Sequence, residues 1–162
     1  MCLITNNITP SIATEDIICY KRLDLVNGCF RTPFLHKKVC NKKNIIGYKQ
    51  AIGCFEKLTR KKYFEYTSYK GDLYSLSKGF IHTYSTFGKI LKNSVTFDIC
   101  GRMTTKSHMF KCIIPKGSKY WVGQDLDLCS DKIIYKKEID INSLSKSEQA
   151  VFNHLRKTQM QI

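Results

Sequence analysis

Apolar and polar positions alternate along much of this chain with the two-residue period of a half-buried strand. Asp16-Ile-Ile-Cys-Tyr-Lys-Arg-Leu23 is β-branched and aromatic and runs toward Asn27-Gly28, so it predicts a strand leading into a turn. Cys29 to Cys40 resumes an extended pattern, with Pro33 removing one ladder donor and pointing to a sheet edge. Asn41 to Asn44 is a polar break. Ile45 to Leu58 holds two glycines that would make a helix there weak, and a short strand or an irregular basic segment fits as well. Lys78 to Thr86 predicts a short strand ending in a hydroxyl-rich turn, and Phe87 to Lys92 about two turns of helix capped by Ser85 or Thr86. Lys106 to Pro115 is the clearest strand, stopped by Pro115-Lys-Gly117. Tyr120 to Gly123 and Lys132 to Ile139 supply two more, around an acidic loop from Gln124 to Asp131. Ser145-Lys-Ser-Glu148 has the spacing of a capping box and predicts a final amphipathic helix over roughly 146–158.

These elements predict an α+β fold: a single domain with an antiparallel-rich sheet, a few short helices and a C-terminal amphipathic helix. The expected organisation is an α+β domain over 1–142, with the helical segment 143–162 packed on it or extending from it. The length of 162 residues suits one compact domain. No apolar run approaches the ~20 residues of a spanning helix, so a soluble chain without a membrane partner is expected.

Eight cysteines invite a disulfide framework, yet residues 1–20 lack the basic and apolar regions of a secretory leader. The closest cysteines lie ten positions apart, and no Cys and His pair has finger spacing, so no metal site is predicted. Free thiols in a reducing compartment, and hence a cytoplasmic location, are the expectation.

Charge alters the picture most. Twenty-seven basic against thirteen acidic residues leave a net charge of +14, which favours anionic partners, nucleic acid first and an acidic protein surface second. Residues 31–62 carry ten basic and one acidic residue, so nine of the fourteen net charges fall in one fifth of the chain. Lys37, Lys38, Lys42, Lys43, Arg60, Lys61 and Lys62 are the candidate phosphate contacts, with Tyr63 and Tyr66 placed to stack on unpaired bases. The same alternation of Lys and Tyr also fits a strand with one packed and one wet face.

Motifs for other chemistry are missing. No phosphate-cradling glycine loop, zinc-protease, serine-hydrolase or deaminase signature occurs, and no cofactor is implied. The reading therefore favours a non-enzymatic protein. His82, at a strand-to-helix junction, and Asp131, in the acidic loop, are the weak candidates for a catalytic role.

Cys19-Tyr-Lys21, Gly79-Phe-Ile-His-Thr-Tyr-Ser85, Lys111-Cys-Ile-Ile-Pro-Lys-Gly-Ser-Lys-Tyr120 and Cys129-Ser-Asp-Lys-Ile-Ile134 together resemble a group of small proteins, uncharacterised in activity, of gut anaerobic bacteria and their tailed phages. The resemblance spans roughly residues 1–140 and implies a phage- or mobile-element-type protein. A more distant likeness is to ADP-ribosyltransferase folds. Lys21 or Arg22, then Tyr84-Ser85-Thr86, then Ser130-Asp131-Lys132 follow that family's order, with Asp131 where the family has a glutamate. That likeness implies a degenerate, nucleotide-binding version of the fold. A virion structural or host-interaction protein is the further alternative.

Overall fold

The computed structural model of the chain describes residues 3–5, 9–33, 37–52, 64–66, 74–76, 80–88, 106–123 and 127–160. Strands hold 52% of them and helical turns 16%, with one α-helix among the described residues, so the fold is antiparallel and β-rich, not α+β with several helices. Composition supplies the reason. The chain has eighteen isoleucines and three alanines, so β-branched side chains that suit a pleated surface abound where the best helix former is scarce. The helix expected over 87–92 is present only as a helical start at Phe87–Gly88, and the rest of that stretch lies outside the described residues.

The strands in chain order are β1 (Leu3–Thr5), β2 (Ser11–Ile12), β3 (Ile17–Val26), β4 (Cys29–Arg31), β5 (Lys38–Asn41), β6 (Lys49–Ala51), β7 (Phe64–Tyr66), β8 (Tyr74–Leu76), β9 (Ile81–Tyr84), β10 (Ser107–Ile114), β11 (Lys119–Val122), β12 (Asp127–Ser130) and β13 (Lys132–Glu138); the helix α1 is Lys146–Met160. They belong to two compact units built from interleaved stretches of chain. The first unit takes 1–19, 49–85 and 113–134; the second takes 20–48, 86–112 and 135–162.

In the first unit, β11 pairs antiparallel with β2 on one side and β12 on the other, and β12 in turn pairs with β9. Lys132↔Ala51 and Ile134↔Lys49 set β13 against β6. A separate three-stranded sheet has the order β1–β8–β7. The expected acidic loop from Gln124 to Asp131 is corrected here. Asp127–Ser130 is a strand held on both edges, and Leu128, Cys129 and Ser130 are buried. Two apolar residues among aspartates give too short a signal to outweigh the charges. Trp121 packs edge-on against Phe80 with ring centroids 4.9 Å apart.

In the second unit, β3 turns into β4 through Asn27 (φ 50°) and Gly28 (φ 76°). Both residues at positive φ is the geometry of a two-residue hairpin whose twist matches that of the strands. Val26↔Cys29 closes the turn, and β5 continues the meander through Phe30↔Cys40. The core of this unit is aromatic. Phe110 meets Phe30 at 5.1 Å and Tyr135 at 5.6 Å, both edge-to-face, while Leu23, Cys40 and Ile45 are buried in the same unit. Edge-to-face pairs suit the ring quadrupoles and add about 0.5–1.5 kcal/mol each beyond area burial.

The C-terminal helix forms as its capping box predicts. Glu148 donates its backbone N–H to Ser145 Oγ (3.2 Å), and the Glu148 carboxylate accepts from the Ser145 hydroxyl (2.8 Å) and backbone amide (3.4 Å). Among the described residues no helix is long and apolar enough to cross a membrane.

Candidate nucleic-acid interface

Of the described part of the basic cluster, Arg31, Lys37, Lys38, Lys42 and Lys43 lie in the second unit, on or beside β4, β5 and the 3-10 turn that follows at Lys42–Asn44, and Lys49 lies on β6 in the first. Between Asp24 and Glu56 the sequence holds six basic residues, Arg31, Lys37, Lys38, Lys42, Lys43 and Lys49, and no acidic one. Lys37, Lys38, Lys42 and Lys43 are all exposed. Among the described residues ion pairs join Arg22 to Asp24 and His108 to Glu138, and none engages these four lysines.

A β-bulge sets the direction of Lys38. Phe30 pairs with Cys40, but Arg31 pairs with Lys38, so the register shifts by one residue at Val39. In a regular strand Lys38, two positions from buried Cys40, would point to the same covered face. The extra residue moves it to the other face, opposite Arg31 and in the row begun by Asp24. Like charges directly across a pair of strands repel. Asp24 eases that repulsion from the far end of the row.

Asp24 is the anchor beneath this surface. Its Oδ1 lies 3.5 Å from Arg22 Nε and accepts the Ser107 hydroxyl at 3.1 Å. Both charges are largely buried, with side-chain exposures of 7% and 14%. Such a pair is costly to break because the remaining charge stays out of water. Beside it, the Cys29 thiol donates to Asn41 Oδ1 at 3.2 Å. Burial first, and then the neighbouring Cys29, push the Cys40 thiol above its usual range against the pull of Lys38. Cys40 is thereby held as a neutral, small apolar filler.

The other predicted residues are placed differently. Arg60, Lys61, Lys62 and Tyr63 lie outside the described residues, and of Tyr66 the backbone is described, in β7. His82 and Asp131 belong to the first unit but meet different partners. His82 sits in register with Cys129, whose sulfur is 3.9 Å from Nε2. Cys129 is fully buried, in the register row that ends at Trp121. Asp131 accepts the Lys119 backbone amide on its carboxylate (3.1 Å), while its own amide donates to the Lys119 carbonyl and its carbonyl accepts from Ile52. Asp131 thus ties three backbone segments at the β12–β13 turn. Of the residues named by the transferase likeness, Arg22 is engaged with Asp24 and Asp131 with Lys119. Among the described residues no group of three or more metal-ligating side chains gathers.

Two basic residues beside this surface carry no signal in the sequence pattern. Arg31 faces Lys38 across the hairpin, and Lys106, far off in the chain, accepts the Leu25 amide on its carbonyl at 2.8 Å. No local pattern ties residue 106 to the 31–62 cluster. Comparison with protein-family models, curated proteins and solved structures finds no match to this chain.

Proposed function

We propose that this is a basic, phage- or mobile-element-type protein that binds a polyanion, nucleic acid first, through the cationic hairpin of its second unit. The observation that carries the reading is the exposure of Lys37, Lys38, Lys42 and Lys43 on one hairpin and its 3-10 extension, with no carboxylate paired to any of them among the described residues. Each ammonium group can neutralise one phosphate and release its condensed counterion, which makes binding strong at low salt and weak at high salt. Lysine suits this work as a point charge on a flexible stem that imposes no bidentate geometry. The protein acts where nucleic acid is, in a cytoplasm or inside a particle.

Retention through purification tests the reading. Protein isolated at low salt is expected to carry nucleic acid, seen as absorbance at 260 nm above that of protein alone, and to shed it on a high-salt wash. A chain that emerges free of nucleic acid at low salt, and takes up none when mixed with it, would refute the proposal.

A further inference from the structure

The second unit gathers cations at one end of its sheet, around the Asn27–Gly28 turn. On one side, Lys42 donates its backbone N–H to the Gly28 carbonyl at 2.9 Å, which sets the Lys42–Asn44 turn against the hairpin tip. On the other, the Lys106 carbonyl accepts from Leu25, one residue before the end of β3, and the next residue, Ser107, bonds Asp24. The hairpin tip is therefore flanked by Lys42 and Lys43 on the β4–β5 side and by Lys106 on the β10 side, all exposed. Three strand spacings separate β10 from β5 across β3 and β4, about 14 Å. That is roughly four base steps along one nucleic-acid strand at ~3.4 Å each.

We propose that Lys42, Lys43 and Lys106 form, around the Asn27–Gly28 tip, a docking point for the phosphodiester backbone of nucleic acid that reads no bases. The inference rests on the polyanion reading above and specifies it. Base-blind contact follows from what surrounds the cations. Stacking needs an exposed ring, and the hairpin's own described ring, Phe30, is buried in the core against Phe110. Asn27, held at positive φ, and Asn44 are exposed amides beside the tip, while Asn41 accepts from Cys29. The charge at the tip is carried by lysines, whose contacts to phosphate position a backbone and carry no sequence information.

The test is fluorescence anisotropy with a labelled single-stranded oligonucleotide and an abasic oligomer of equal length, across a salt series. Lys42→Gln, Lys43→Gln and Lys106→Gln should each lower the magnitude of the slope of log K against log salt by about 0.7. Lys116→Gln, at an exposed lysine of the first unit, should leave it unchanged. The abasic oligomer should bind within about threefold of the parent. If Lys106→Gln behaves as Lys116→Gln does while reversal of Lys37 and Lys38 still weakens binding, the docking point is wrong and the polyanion reading stands. A preference above tenfold for the base-bearing oligomer overturns the base-blind claim. No binding of either oligomer by the unmodified protein overturns both readings.

Discussion

Phe110→Ala is expected to cost about 3–5 kcal/mol of stability. Phe110 is 0% exposed and lies between two perpendicular partners, Phe30 and Tyr135. Removing its ring forfeits the transfer energy of the buried carbons, leaves a cavity that neighbours on two strands cannot close, and abolishes both edge-to-face contacts. Phe110→Leu should cost markedly less, since it keeps most of the volume. Chemical denaturation followed by circular dichroism reads the difference. A Phe110→Ala loss below about 1 kcal/mol would mean that this aromatic cluster is not the core of its unit.

Asp24→Ala is expected to be nearly as damaging, at about 3–5 kcal/mol, although it removes few atoms. The cost arises from what stays behind. Arg22 remains buried with its positive charge, the Ser107 hydroxyl loses its bond to Asp24, and the row that runs through Arg31 to Lys38 loses its carboxylate. Adding Arg22→Met to Asp24→Ala should recover a large part of the loss, because the buried charge goes with it. If the double variant is as unstable as Asp24→Ala alone, packing and not charge explains the effect.

How far the sequence could be read depended on how local each cause was. The strand at Ile17–Val26, the Asn27-Gly28 turn, the strand ahead of Pro115 and the capped C-terminal helix all follow from residues within a few positions of each other, and each was legible. The strand Asp127–Ser130 was not, because its burial comes from β9 and β11, which lie far off or across a turn, while its own sequence displays aspartates. The short helix expected over 87–92 begins at Phe87–Gly88, and the rest of it lies outside the described residues.

The interface shows the same division. Lysine density marked the hairpin, but the orientation of Lys38 depends on a register shift at Val39 that only the pairing with β4 reveals. Lys106 joins the tip through a backbone hydrogen bond between distant segments, which no reading of neighbouring residues could supply. His82 is a candidate for its place at a strand-to-helix junction and Asp131 for its place in an acidic loop. Their actual partners, a buried thiol and a set of backbone amides and carbonyls, are features of cross-strand register.

The most direct measurement is the salt dependence of nucleic-acid affinity for the unmodified protein and for the variant Lys37→Glu, Lys38→Glu, Lys42→Glu, Lys43→Glu. Loss of four phosphate contacts should reduce the magnitude of the log K against log salt slope by about three and weaken binding at every salt concentration. An unchanged slope, with the variant folded, would contradict a phosphate-binding surface on this hairpin.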